Sequence, residues 1–158
     1  MAQGVTDEEF AALVRRTAEA ASALIRGDVR RYFVLIPHAD DYTLMSPFGG
    51  EPRRGFDRSP ARLEAQERFF AGPGEAELEI VQAIVSGDLA VLAVIERQHG
   101  VVDGLPAQDW SLRVTLVFRR EGGEWRLAHR HADPLVHGIG LEQLAALARG
   151  GALASGEA

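Results

Sequence analysis

The sequence predicts an α+β fold in which a strongly bent antiparallel sheet wraps around a long amphipathic helix. Three observations predict it. Helix signals fill the first half of the chain and strand signals the second, an order that sets helices against one side of a sheet. The first helix carries one continuous apolar stripe, which needs a sheet to cover it. The strand region reads as hairpins, with short turns and two-residue alternation. Curvature of such a sheet leaves a cleft at its open end.

Thr6 and Glu9 form a capping box, and Asp7 and Glu8 place negative charge at the positive end of the first helix. Phe10, Leu13, Val14, Thr17, Ala21 and Leu24 then recur at helical spacing and make the stripe. Gly27 stops this helix, Asp28 caps a shorter one through Ile36, and Pro37 ends it. Tyr42–Ser46 reads as a short strand, followed by a glycine- and proline-rich turn over Pro47–Gly55. Ser59 and Pro60 open a third helix carrying Leu63, Phe69 and Phe70, which Gly72-Pro73-Gly74 breaks.

Leu78–Val85 and Leu89–Gln98, joined by Ser86-Gly87-Asp88, predict a hairpin. After a loop at Gly100–Gln108, Trp110–Arg119 alternates, with Trp110, Leu112, Val114, Leu116 and Phe118 on one face. Arg113, Thr115, Val117 and Arg119 occupy the other. Glu121–Glu124 turns the chain into Trp125–Ala132, which alternates again. Gly138–Arg149 predicts a last short helix. Residues 1–149 are therefore expected to form a single domain, with a flexible C-terminal tail over 150–158.

With 158 residues, the chain has the size of one ordinary domain. Hydrophobic residues at 46% and charged residues at 25% exclude a disordered chain. The absence of cysteine excludes disulfides, thiolate zinc sites and cysteine nucleophiles. Seventeen basic against 23 acidic residues leave a net charge of −6, which opposes nucleic acid as a partner. No apolar run approaches the ~20 residues of a membrane span and no signal peptide is visible, so the expected setting is cytoplasmic, with no membrane partner.

The segment Ala39-Asp40-Asp41-Tyr42-Thr43-Leu44-Met45-Ser46-Pro47-Phe48-Gly49-Gly50-Glu51-Pro52-Arg53-Arg54-Gly55 resembles the corresponding stretch of bacterial ketosteroid isomerases. Leu112–Thr115, the turn Arg119–Gly123 and Trp125–Asp133 are similar to the SnoaL-like branch of the same nuclear-transport-factor-like superfamily. The closing pattern is also similar to the association domain of calmodulin-dependent kinases. The resemblance spans Thr6 to Val136. It implies a cone-shaped α+β fold with a curved antiparallel sheet, a small-molecule pocket between helices and sheet, and frequent dimerisation. Ser46 stands where the isomerases carry their aspartate base, the first helix has no tyrosine, and the place of their protonated aspartate falls near Thr115. The isomerase's own catalytic groups are therefore absent, and a serine alone is a very poor base.

Glu96 lies in a strand otherwise apolar on its face. It reads either as a buried general base or as a carboxylate paired with Arg97 or Arg113. Arg113 and Arg130 either lie solvated on an exposed sheet face or, as the kinase domain implies, line the pocket and offer donors to an anionic ligand. Tyr42, Ser46 and Thr115 complete the expected ligand-binding set, Tyr42 and Ser46 sharing a strand face that points to the pocket in the isomerases. Asp40 and Asp41 read as turn residues or acids, and Phe70 as plain core. His129 and His131, two apart on a strand, could hold a metal with Asp133 or His137. The alternative, that they extend the Trp125–Leu127 face into an interface or a packed edge, is adopted, and neither a metal nor a cofactor is implied.

The functional expectation is a pocket protein for an apolar, oxygen-bearing metabolite, working as a cofactor-free isomerase, cyclase or hydratase with Glu96 as base and Arg113, Arg130 and Tyr42 as stabilisers. The alternative is a ligand-binding or assembly module that does no chemistry. A homodimer through the sheet is expected from Trp110, Leu112, Leu116, Phe118, Trp125 and Leu127, should that apolar face lie outside the cone.

Overall fold

The computed structural model describes residues 4–134 and 137–151. Helix α1 (Asp7–Ile25) starts at the capping box: the Glu9 N–H donates to the Thr6 hydroxyl, and the Thr6 N–H to the Glu9 carboxylate. It buries Leu13, Thr17, Ala20, Ala21, Ala23 and Ile25, so small residues let it lie close to the sheet. Gly27 turns the chain at φ +81, where an added Cβ would stand 2.5 Å from the Phe70 carbonyl oxygen. Only glycine fits there. Asp28 then caps α2 (Val29–Leu35), and Ser59 caps α3 (Pro60–Phe69) with proline in the first turn. No described helix is long and apolar enough to cross a membrane.

The strands are β1 (His38–Met45), β2 (Arg53–Arg54), β3 (Glu75–Ser86), β4 (Leu89–Gly100), β5 (Gln108–Asp109), β6 (Leu112–Glu121) and β7 (Glu124–Pro134). They form one sheet in the order β2-β1-β7-β6-β4-β3, with β5 on β4. The pairing is antiparallel except where β1 runs parallel to β7, so the sheet is mixed. The expected α+β cone with N-terminal helices against a curved sheet is the fold observed.

Three differences have simple causes. Strand β1 begins at His38 rather than Tyr42, because it is irregular there and carries no clean alternation: His38 pairs with Leu127, but the next partners are Thr43 and His129. Strands β2 and β5 have two residues each, too short for any periodic signal. Helix α4 (Leu141–Ala148) is closed by Gly150 at φ +70, with Gly150 N–H donating to Leu147 and Gly151 N–H to Ala146. The first two residues of the expected tail thus cap a helix, and 152–158 lie outside the described residues.

The face of β6 and β7 expected to form an exposed dimer surface is instead the inner wall. Leu116, Phe118, Trp125 and Leu127 are buried against the helices, and Phe118, Leu92, Leu116 and Leu127 are among the largest fully buried side chains. The apolar stripe of β6 turns inward because burying it outweighs exposing arginines on the outside. Arg113 and Thr115 consequently lie exposed on the outer face.

Strand β7 changes phase midway. Phe118 pairs with Leu127 and Val117 with His129, which leaves Ala128 as an extra residue in a β-bulge. Before the bulge Trp125 and Leu127 face inward; after it Ala132 is buried while His129 and His131 are only half-buried. The strict alternation read from the sequence set Arg130 beside Arg126 and Arg113. The bulge moves Arg130 to the inner face.

Candidate functional site

Inside the cone, β4 presents Leu92, Val94 and Glu96 to the helices, and Glu96 is only 3% exposed. A carboxylate in that position needs a partner, because an isolated buried charge costs far more than the fold can spare. Arg130 supplies it from two strands away. Its Nη1 donates to Glu96 Oε2 at 2.8 Å and its Nη2 to Oε1 at 3.0 Å, a bidentate fork. Neither Arg97 nor Arg113, the partners expected from the sequence, takes this place: Arg97 pairs with Glu79 on the surface. Burial works against the Arg130 charge, but the Glu96 carboxylate and the nearby Tyr32 and Tyr42 outweigh it and raise the guanidinium pKa.

Above the pair is a cavity of about 10 Å³ lined by Thr17, Ala21, Leu24, Tyr32, Ile36, Glu96, Leu116 and Arg130. That is room for one water, with four polar side chains to hold it. Thr17 sits on the α1 stripe with its hydroxyl donating to the Leu13 carbonyl at 2.7 Å. Tyr32 comes from α2. Burial raises its pKa against the opposing pull of Arg130, and Glu96 adds to the rise, so the phenol keeps its proton.

Next to Tyr32 is a cluster of rings around His38. Its imidazole lies 5.7 Å from Tyr32, 5.1 Å from Phe33, 4.4 Å from Tyr42 and 4.9 Å from Phe56, centre to centre. Nδ1 is 2.8 Å from the Ile36 carbonyl oxygen, which can only accept, so Nδ1 carries the proton of the neutral ring. Burial lowers the His38 pKa to about 4 despite that bond, and Arg130 and Arg58 push in the same direction. Burial likewise raises the pKa of Tyr42.

Of the expected site residues, Glu96, Arg130 and Tyr42 come together within the cone. Arg113 and Thr115 do not; they lie on the opposite side of the sheet. Ser46 lies in the turn after β1, its carbonyl accepting from the Gly49 N–H. On the outer side His129 Nδ1 lies 2.6 Å from the Thr43 hydroxyl, and His131 Nε2 lies 3.1 Å from Asp133. His137 is exposed, and among the described residues no three such side chains gather as a metal site would require. A larger open groove of about 310 Å³ lies by Glu75, Arg97, His99 and Asp109, away from the pair.

Sequence reasoning missed Thr17 and Tyr32 as neighbours of the pair, and His38, Phe33 and Phe56 as the rings packed beyond Tyr32. Thr17 had a signal, a hydroxyl within an apolar stripe. The others had none, since their convergence depends on how α2 and the loop after β1 fold over the sheet.

A model of the SnoaL-like domain matches residues 14–136. Among solved structures, an NTF2-like protein of unknown function from Pseudomonas putida is 23% identical, with 87% of this chain and 89% of that chain covered and a TM-score of 0.63. A candidate dehydratase of the NTF2-like family from Streptomyces avermitilis is 23% identical over 82% of this chain and 96% of that one, with a TM-score of 0.60. The CamKII hub homology domain of Chlamydomonas reinhardtii is 19% identical over 80% and 98%, with a TM-score of 0.57. At these identities the likenesses show the fold alone. None of the curated proteins matches the chain.

Two predictions follow from the interior. Glu96→Gln or Arg130→Met alone leaves its partner buried and unpaired, at an expected cost of about 3–5 kcal/mol in urea unfolding. The double variant Glu96→Leu/Arg130→Met recovers most of that loss, and a double-variant loss equal to the sum of the two single losses would argue against a coupled pair. His38 has a folded pKa below its ordinary 6.5, so the unfolded chain binds its proton first as pH falls. Its stabilisation is complete above pH 6.5 and declines towards pH 4, by up to about 3 kcal/mol. His38→Gln should flatten the stability profile between pH 7 and 5; an unchanged slope would count against the shift.

Proposed function

The chain belongs to the SnoaL-like domain family, and we propose that it holds a small, largely apolar, oxygen-bearing molecule between its helices and curved sheet. The Glu96–Arg130 pair is the polar anchor of that site, and the pair itself is the observation that carries the reading. A fold that needed only a core would gain as much from two packed apolar residues, because desolvation consumes most of what a buried ion pair returns. Glu96 takes two of the five guanidinium N–H groups, which leaves donors for a ligand oxygen in the cavity. On this reading residues 1–149 act as one ligand-holding domain in the cytoplasm.

The expectation of an anionic ligand required Arg113 and Arg130 to converge. Arg113 is exposed on the other face, and Glu96 already balances Arg130. An uncharged ligand with a hydroxyl or carbonyl fits this neutral site better, since an added buried charge would lack a counterion.

A second reading is favoured by the water-sized space where Glu96, Tyr32 and Arg130 meet. A water there could pass a proton to Glu96 while Tyr32 donates, as an isomerase-, cyclase- or hydratase-type step requires. Both Glu96 oxygens are engaged by Arg130, so catalysis needs one contact released first. That ranks binding ahead of chemistry.

The test is thermal stabilisation by matched phenols, ketones, carboxylates and hydrocarbons. The wild type should respond most to phenols and ketones, and Glu96→Leu/Arg130→Met should lose that preference. Equal responses across the classes would remove the anchor role. Turnover of enone or hydroxy-ketone probes that vanishes in Glu96→Gln would promote the catalytic reading.

A homodimer through the sheet belongs to the same proposal, now on the outer face. There Ile84, Val91, Ala93, Ile95 and Val117 form the central rows of β3, β4 and β6, and Ile84 is 53% exposed. Light scattering at tens of micromolar should report a dimer, and Val117→Asp a monomer of unchanged helix content. A monomeric wild type would remove the dimer.

A further inference from the structure

We infer that the free edge of β3 is a self-association surface: it takes the same edge of a second copy, antiparallel, with the two-fold axis at Ile84. This contact is separate from the sheet-face dimer proposed above and joins such dimers into larger assemblies.

The two edges of the sheet are built differently. At one end β2 is two residues long, and both are arginines. Short strands and charged side chains keep an edge from pairing. At the other end β3 runs for 12 residues, and among the described residues no strand pairs with its far side. Its first half is guarded. Glu75, Glu77 and Glu79 carry charge there. Ser22 of α1 holds Ala76, its hydroxyl donating to the Ala76 carbonyl at 2.8 Å and accepting from the Ala76 N–H at 3.3 Å. From Ile80 to Ser86 there is neither a charge nor a proline. Ile80, Val81, Ile84 and Val85 are 40%, 64%, 53% and 42% exposed.

The backbone of this half is open as well. Ala76 sends both of its groups to Ser22 and so away from β4, and alternation gives Leu78 and Ile80 the same direction. The bulge at Val81 shifts the phase by one, after which Ala83 and Val85 point to the free side. The Ala83 N–H is met there by the side-chain carbonyl of its own neighbour, Gln82, at 3.1 Å. Beyond the bulge, Gln82 to Ser86 stays in step with Ala93 to Leu89, so this stretch is a regular strand.

Charge and phase select the partner. A parallel copy in register would stack Glu75, Glu77 and Glu79 on themselves, and like charges directly opposite destabilise a sheet. An antiparallel copy sends these acids to opposite ends. With the axis at Ile84, Ala83 faces Val85 of the second copy and Val85 faces its Ala83. Both members of each pair have free backbone groups, so the two pairs make about four N–H···O=C bonds. The two Ile84 side chains meet on the axis. An axis at Ala83 would draw the bulge into the ladder, and one at Val85 the turn at Gly87. The acids that come nearest across the axis, Glu79 and Asp88, are each already paired, with Arg97 at 2.8 Å and with Arg120 at 2.9 Å. So short a ladder buries less than the ~1,200 Å² of a stable interface, which makes the contact weak and concentration-dependent.

The test uses the absence of cysteine from the chain, so introduced thiols report only their own contacts. Ala83→Cys protein is mixed with Val85→Cys protein under mild oxidation. In the edge contact these positions lie about 5.5 Å apart between Cα atoms. The mixture should yield a disulfide-linked dimer of one chain of each kind, about tenfold more than either protein alone, since only the mixture brings two thiols within disulfide reach. The sheet-face dimer cannot make this bond, because Ala83 and Val85 pair with Leu92 and Ala90 on the inner face. In sedimentation, the wild type should be a dimer at tens of micromolar and form larger species at several hundred micromolar. Ala83→Pro removes the free N–H but no bond to β4, and Val85→Lys charges the edge. Each should keep the dimer and lose the larger species.

No mixed disulfide, or larger species that persist in both variants, overturns the inference and leaves the sheet-face dimer standing. A disulfide in Val85→Cys alone as abundant as in the mixture overturns the axis at Ile84 and the inference with it. A wild type that is monomeric at tens of micromolar removes the sheet-face dimer, and the mixed disulfide then upholds the edge contact by itself.

Discussion

A carboxylate on the inner face of a β-strand is the constraint around which the interior is organised. Glu96 follows Leu92 and Val94 on that face and is as buried as they are. The strand cannot turn it outward without exposing its apolar neighbours, since a one-residue shift reverses every side chain of a strand. The charge therefore has to be met inside. The bulge at Ala128 meets it by turning Arg130 inward after Leu127, so that both guanidinium arms close on both oxygens. Without that extra residue, regular alternation would carry His129 and His131 inward and leave Glu96 alone. The half-buried outer positions of both histidines, next to Thr43 and Asp133, are the other consequence of the same residue.

The helices follow from the same requirement. A paired arginine and glutamate still occupy space and still have unused polar atoms. Thr17 and Tyr32 face them from α1 and α2, and the alanines of α1 keep that helix close enough to exclude all but a water-sized void. His38 shows the cost of this closeness. It is surrounded by rings and lies near a cation, so it stays neutral and spends its one proton on the Ile36 carbonyl.

What the sequence made legible was the part governed by local rules. The capping box at Thr6, the caps at Asp28 and Ser59, the turn at Gly87 and the alternation of β6 each act within a few residues, and each is found in place. Phase along β7 was not legible, because a bulge has no marker in Trp125–Ala132: Ala128 is an ordinary strand residue. The error about Arg113 has a different source. Alternation set Leu112, Val114, Leu116 and Phe118 against the helices, and resemblance to a distant domain set Arg113 there instead. Burial decided between them, because four apolar side chains lose more in water than an arginine gains from a pocket. The same reasoning takes Trp125 and Leu127 off the outer surface on which a dimer was expected to form. Tyr32, His38 and Phe56 needed the full three-dimensional path of the chain, since they meet from a helix, a strand and a loop.

Charge adds a last step to the functional reading. The chain carries a net −6, and its resolved acids and arginines pair mostly on the surface, as in Arg97–Glu79, Arg119–Asp41 and Arg120–Asp88. Among the described residues, the buried Glu96–Arg130 pair is balanced. An anion would thus approach against the overall field and meet at the Glu96–Arg130 pair a guanidinium that is already neutralised, two effects of the same sign. A cation would gain from the field and then lose its hydration beside Arg130. A neutral molecule meets neither penalty. A cone fold hosts many chemistries; on the proposed reading, the choice of ligand in this chain rests on how one glutamate is neutralised.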